Sequence, residues 1–183
     1  MKKFFKTPMK TDEFIIKDLE LKEIEIARNL HNDNSVLKFL TDPSKVSKIQ
    51  QSKWFFSLEQ SSKSFRLIIF EKNSMTFVGI FRIDQLDLKN KSVVIGLDIT
   101  PKQRGKKFSL KIYHYLLQYI YKIGINRVSL ETLETNYVAI NLYKKLGFKN
   151  EGRLREAIWR DGRFLDCIKF SLLKKEYLDA KNF

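Results

Sequence analysis

The sequence predicts an α/β (α+β) protein, a mixed and mostly antiparallel central sheet of about seven strands flanked by about four helices. Three observations carry that expectation. Strand-type runs occur in turn-linked pairs, 65–87 and 148–173, which is the pattern of antiparallel hairpins. Between them the periodicity switches twice from strand to helix. The 183 residues are 43% hydrophobic, with only three prolines, seven glycines and no Ser/Gly-rich or repetitive tract, so one domain over 1–183 is expected.

Taken in order, residues 12–19 read as a first strand and 21–32 as an amphipathic helix. Asp42-Pro43-Ser44 breaks the chain, and Ser44 or Ser47 is placed to cap a second helix that runs to about Ser62 with Trp54, Phe55 and Leu58 on one side. Phe65 to Glu71 and Thr76 to Asp87 form a hairpin around 72–75, and Ser92 to Thr100 is the next strand, stopped by Pro101. From about Lys106 to Ile123, apolar residues recur at helical spacing, with Gly124 where a C-terminal cap belongs. Arg127 to Leu133 is a short buried-type strand, and Asn136 to Lys145 is a helix ended by Gly147. Asp161-Gly162 turns a last hairpin between Phe148 to Trp159 and Phe164 to Leu173.

Composition narrows the function classes. One cysteine, Cys167, allows no internal disulfide, and the start Met1-Lys2-Lys3-Phe4-Phe5-Lys6 lacks a secretory apolar run, so a reducing cytoplasm is the expected location. Runs such as Leu67-Ile68-Ile69-Phe70 fall far short of the ~20 residues that span a bilayer. His31 and His114 stand apart without metal-ligand spacing, so no metal is expected. With 35 Lys+Arg against 21 Asp+Glu, the net charge of +14 suits an acidic ligand, whether CoA phosphates, a nucleotide-linked substrate or RNA, and equally a solvated surface.

The most informative stretch joins a strand, a basic loop and a helix start: Gly96-Leu97-Asp98-Ile99-Thr100-Pro101-Lys102-Gln103-Arg104-Gly105-Lys106-Lys107-Phe108-Ser109. A helix N-terminus offers unpaired backbone N–H groups and about half a positive charge, so a pyrophosphate is stabilised there. The second segment, from Ser129 to Phe148, contains Asn136, Ala139, Tyr143, Gly147 and Phe148 in the pattern N-x-x-A-x-x-x-Y-x-x-x-G-F. Together these resemble the acetyl-CoA-binding and catalytic motifs of the GNAT acetyltransferase superfamily, and the resemblance in element order runs over nearly the whole chain.

The resemblance implies a GNAT-like domain that binds acetyl-CoA and transfers its acetyl group to a primary amine by direct attack on the thioester. It implies that Gln103, Arg104, Gly105, Lys106, Lys107, Phe108 and Ser109 hold the cofactor with Asn136 and Asn141, and that the backbone N–H of Ile99 stabilises the oxyanion. Tyr143 would protonate the CoA thiolate. A protonated alkylamine of pKa ~10.4 costs about 4 to 5 kcal/mol to deprotonate at neutral pH, so a base is needed. Glu131 matches the family's glutamate and is taken as the base, with Glu134 as the alternative; a carboxylate at a strand end also suits solvent or an ion pair with Arg127. Asn136 would bond pantetheine or cap its helix. Phe108, Trp54 and Phe55 also fit plain packing, and Cys167, with no nearby histidine in sequence, is not expected to be a catalytic thiol.

The loop departs from the family pattern at Lys107 and Ser109, where small residues are expected; Lys107 should therefore take ordinary helical geometry and leave Gly105 as the flexible point. Among relatives, the ending Glu151-Gly152-Arg153-Leu154-Arg155 with Arg160-Asp161-Gly162-Arg163-Phe164-Leu165-Asp166 is similar to enzymes that acetylate nucleotide-linked amino sugars or the N-termini of ribosomal proteins. The run Arg28-Asn29-Leu30-His31-Asn32-Asp33, with Lys53-Trp54-Phe55, favours the sugar group. Arg28, His31 and Glu134 are then candidate substrate contacts, with Arg153 and Arg155. A polyamine ranks last, since +14 repels a polycation. A non-catalytic CoA- or RNA-binding module is the reading of another class, although the strands lack the interleaved aromatics of an RNA platform, so nucleic acid is not an expected partner. A homodimer is left open.

Overall fold

The computed structural model describes residues 5–180. Eight strands form one sheet in the order β1-β2-β3-β4-β5-β6-β8-β7. They are β1 (Met9–Lys10), β2 (Phe14–Asp18), β3 (Phe65–Glu71), β4 (Phe77–Asp87), β5 (Ser92–Ile99), β6 (Arg127–Leu133), β7 (Lys149–Arg160) and β8 (Arg163–Leu173). The helices are α1 (Ile24–His31), α2 (Asn34–Leu37), α3 (Lys48–Gln60), α4 (Phe108–Lys122), α5 (Tyr137–Lys145) and α6 (Lys174–Asp179). No helix among the described residues is long and apolar enough to cross a membrane.

The expected α/β arrangement is present, with the predicted strands and helices found close to their expected bounds. Three short elements are additional: β1, α2 and α6. Two, four and six residues are too few to show a period, which is why they are invisible to pattern reading. Each is held from outside. Met9 pairs with Ile16, the Asp33 carboxylate accepts the Ser35 N–H and caps α2, and the Glu176 carboxylate accepts the Leu173 N–H at the start of α6. Ser47, rather than Ser44, caps α3 in a reciprocal box with Gln50.

Alternation along β3 divides the interior. Leu67 and Ile69 belong to the larger core, which also holds α4, α5 and α6 through Leu116, Ile140 and Tyr177. Ile68 turns the other way, to the smaller core formed with Leu30 of α1 and Phe55 of α3. Both cores contain fully buried side chains, Phe81, Leu116 and Val128 in the larger and Ile68 in the smaller.

Among the described residues one strand pair is parallel, and it decides where a site can exist. β5 and β6 pair only from Ser92 to Val94 against Arg127 to Ser129. Beyond that, β5 stays on β4 to Ile99, and β6 stays on β8 to Leu133. The two halves of the sheet therefore separate toward the ends of β5 and β6. Close backbone packing holds β5 to β4, because a Cβ at Gly79 would lie 2.2 Å from the Asp98 carbonyl oxygen.

Gly79→Ala should therefore force the strands apart and lower the unfolding free energy by about 3 kcal/mol. Urea denaturation followed by circular dichroism measures it, and a loss below about 0.5 kcal/mol would contradict the close approach.

Candidate active site

The gap between β5 and β6 opens a cleft of about 240 Å³. Its backbone wall follows from the register. The Thr100 N–H donates to the Val78 carbonyl, so the ladder's alternation turns the N–H groups of Leu97 and Ile99 away from β4 and into the gap. Ile99 itself is buried and lines the cleft. Nothing in the sheet can satisfy those donors once β6 has diverged, so they suit the amides and carbonyls of an extended ligand.

At the mouth lies the basic loop. Pro101–Gln103 form a short 3-10 turn, and α4 starts at Phe108. Lys107 does not take helical geometry as expected: it sits in the left-handed region, with φ 61° and ψ 13°. Gly105 is also left-handed, at φ 79°, with open space where its Cβ would be. Two left-handed residues bend the chain over the end of α4, and the helix N-terminus has no side-chain cap. The first N–H groups of this fifteen-residue helix are thus available to an anion. The helical geometry expected of Lys107 fails because the turn requires a positive φ there whichever residue occupies it.

The side chains of the loop divide their tasks. Lys106 stands exposed, with its ammonium over the Phe108 ring at 5.6 Å from the centroid. Phe108 is buried edge-on against Phe14. Gln103 is buried, its Oε1 without a hydrogen-bond partner, and lies outside the cleft lining. Ser109 lines the cleft. Arg104 is only partly available to a ligand: its Nε donates to the Ile99 carbonyl at 3.3 Å, and Nη1 donates to Ser35 Oγ at 2.8 Å. It thereby pins the start of α2, whose Val36 forms one cleft wall together with Phe39 and Leu40 just beyond the helix. Arg160 pins the other end, donating to the carbonyls of Leu37, Lys38 and Leu40.

Tyr143 of α5 is buried and faces the cleft, edge-on to Tyr113 and Phe170. Burial pushes its phenol above the ordinary value of 10, the Tyr113 phenol and Arg82 oppose this, and the Asp98 charge adds to it. The group is a neutral O–H donor at physiological pH. Asn136 caps α5, accepting the Ala139 N–H at 3.3 Å and donating to Thr132 Oγ1 at 3.1 Å, while still lining the cleft. Asn141 is exposed on α5 outside the cleft.

Glu131 lines the cleft from β6 with an exposed side chain. Its proposed alternative partner Arg127 is instead engaged with Glu151 at 3.2 Å. Glu134 does not reach the cleft; its carboxylate meets Arg153 at 3.4 Å and the Asp166 N–H at 3.3 Å. Cys167 is buried, and burial raises its thiol pKa, so it stays protonated. Among the described residues, no group of three His, Cys, Asp or Glu could hold a metal.

A second cavity of about 420 Å³ lies under α1 and α3. His31 lines it, with Nε2 3.0 Å from the Ser44 carbonyl. Arg28 does not; it is bound to Glu25 at 2.7 Å. Arg153 is engaged with Glu134 and Asp166, and Arg155 is exposed on β7. The cavity meets the cleft at Arg82 and Asp98, which line both. Sequence reading passed over these two, yet a signal existed: each is a charge inside an otherwise apolar strand run, Phe77 to Ile83 and Val93 to Ile99. Tyr113, buried beside the Tyr143 phenol, was not singled out in the sequence either.

Lys107→Gly should relieve the left-handed strain and raise the unfolding free energy by up to about 1 kcal/mol, while acetyl-CoA affinity falls severalfold with the loss of one loop cation. Lys107→Val should lower both, since a β-branched residue resists that geometry. Thermal unfolding and calorimetric titration with acetyl-CoA measure the two effects.

Comparison with known proteins agrees with this geometry. The family profile of the acetyltransferase (GNAT) domain matches residues 16–168. An N-acetyltransferase of Bacillus licheniformis named p20 and described as uncharacterized is 28% identical over 173 residues, covering 91% of this chain and 96% of the relative. Spermidine N(1)-acetyltransferase of Vibrio cholerae is 21% identical over 165 residues, covering 90% and 95%. A crystal structure of the Vibrio cholerae spermidine N-acetyltransferase in complex with CoA and spermine superposes with a TM-score of 0.85 at 20% identity, over 92% of this chain and 99% of that one. An uncapped helix end beside a split sheet, a buried phenol in the gap and a profile match over most of the chain lead to one conclusion: the chain belongs to the GNAT acetyltransferase family, N-acetyltransferases whose co-substrate is acetyl-CoA.

Proposed function

We propose that the chain acetylates a primary amine of a small aliphatic acceptor of the polyamine type, with thioester and amine meeting in the gap between β5 and β6. The observation that carries this reading is the junction, at Arg82 and Asp98, of the second cavity with the cleft that Ile99 and Tyr143 line. In this reading the pyrophosphate rests on the α4 N-terminus, with Gly105, Lys106 and Lys107 around it and Arg104 and Ser109 on the cleft side. Pantetheine runs along the free edge of β5 past Asn136. The Ile99 N–H faces the oxyanion as it forms.

Tyr143 supplies the proton that the leaving thiolate needs; a neutral phenol is the correct form for that step. Glu131, across the gap on β6, accepts the proton that the amine loses, directly or through water.

Two facts favour a polyamine over the nucleotide-linked amino sugar expected from sequence. Of the groups expected to contact a diphosphate, Arg28 and Arg153 are tied to carboxylates outside the acceptor cavity, Arg155 is exposed on β7, and His31 lines the cavity. The cavity itself holds Asp42 and Asp98, while its two arginines are already ion-paired, Arg66 to Asp84 at 2.9 Å and Arg82 to Asp98 at 3.1 Å. The net charge of +14 does not repel an amine decisively, because charges beyond about 8 Å are screened at physiological ionic strength and the arginines lining the cavity are ion-paired. The spermine complex of the similar Vibrio enzyme points the same way.

Thiol release from acetyl-CoA should be faster with spermidine than with a nucleotide-linked amino sugar or an N-terminal peptide, and the reverse order would overturn the acceptor assignment. Tyr143→Phe should lower kcat about 100-fold while leaving the KM for acetyl-CoA within about twofold. With wild-type protein, kcat/KM should climb from pH 7 as the amine deprotonates and should not fall before pH 10, since the acid form of Tyr143 persists to a raised pKa. A decline beginning near pH 8 would remove Tyr143 as the acid.

A further inference from the structure

The Arg82–Asp98 pair stands where the two cavities meet, and the reaction scheme gives it no task. Asp98 immediately precedes Ile99, whose N–H faces the gap, so a group bound at Asp98 lies next to the position of the thioester carbonyl. The pair is built into the strands. Gly96 is directly opposite Arg82 in the register, and a Cβ there would come within 2.7 Å of Nη2. The missing side chain lets the guanidinium cross β5 and approach Asp98.

The contact leaves capacity unspent. Arg82 Nε lies 3.1 Å from Asp98 Oδ2, an ion pair, yet Nε is buried without a hydrogen-bond partner. Among the described residues the Asp98 carboxylate accepts no hydrogen bond. The neighbouring Arg66–Asp84 pair differs: there Nη1 donates to Asp84 Oδ1 at 2.9 Å, and the same nitrogen also donates to two backbone carbonyls. Asp98 therefore presents free lone pairs toward the junction while its charge is held in place by Arg82. A carboxylate so disposed binds an ammonium through charge-assisted hydrogen bonds. The apolar side chains of Trp54 and Ile80 nearby suit the aliphatic part of the same molecule.

Resting on the acetyl-transfer reading, we propose that Asp98, positioned by Arg82, is the substrate-binding carboxylate that anchors the acceptor's ammonium beside the thioester. Glu131, on the opposite strand, is then left free to take the proton.

Steady-state kinetics of Asp98→Asn with two acceptors tests this. One is spermidine, cationic at the assay pH; the other is trifluoroethylamine, a weak base that is uncharged there. The expected result is a fall of about 10- to 100-fold in kcat/KM for spermidine, mostly in KM, against less than about threefold for trifluoroethylamine. Acetyl-CoA affinity by calorimetry should be unchanged, and Asp98→Glu should recover part of the loss. Equal losses with both amines, or none, would overturn the proposal, because a merely structural aspartate does not distinguish charged from neutral acceptors. Should wild-type protein acetylate neither amine, the acetyl-transfer reading fails on its own, and spermidine titration of the CoA-loaded protein decides about Asp98. Binding that disappears in Asp98→Asn supports the anchor; binding that persists in the variant, or is absent from wild type, ends it.

Discussion

Strands β5 and β6 share three residue pairs and then diverge, because each is gripped by its other neighbour for its full length. A sheet that had zipped completely would have spent the N–H groups of Leu97 and Ile99 on β6 and left no passage between its faces. The divergence instead turns those N–H groups toward the cleft, where water or a ligand can supply a partner. The cleft and its backbone wall both descend from that one interruption.

Electrostatics around the gap is arranged by pairing more than by total charge. The chain carries +14, and no acid occurs between Asp98 and Glu131, so the loop and the adjoining helix form a region suited to phosphates. In the second cavity the arginines are neutralised one for one by Asp84 and Asp98. A strongly basic chain thus places an unbalanced cationic loop close to a cavity whose charges are paired, and the two differ in potential over a short distance.

Much of this was legible in the sequence. The hairpins, the strand from Arg127 to Leu133 and the helix that starts after Asn136 follow from periodicity and turn chemistry, since long amphipathic elements repeat their pattern enough times to be read. The thirteen residues from Asn136 to Phe148 identified where the phenol of Tyr143 would stand. What escaped was non-local. α2 is a single turn stabilised by Asp33 at one end and by arginines 69 and more than 100 positions away. Arg28 and Glu134 looked like substrate contacts, yet whether a charged side chain faces a cavity or a neighbouring ion depends on partners that spacing alone does not reveal. Lys107 misled for a related reason: residue type suggested helix, and the turn required a left-handed backbone.

The clamp of Arg160 on the carbonyls after α2 joins positions 123 residues apart. One wall of the cleft is consequently finished only by the last pair of strands, which also supplies β6 with its outer neighbour. During synthesis the loop from Pro101 to Lys107 and then Tyr143 are made before Arg160 and β8, so a nascent chain can already carry both segments of the family pattern while the clamp on α2 and the outer neighbour of β6 are still missing.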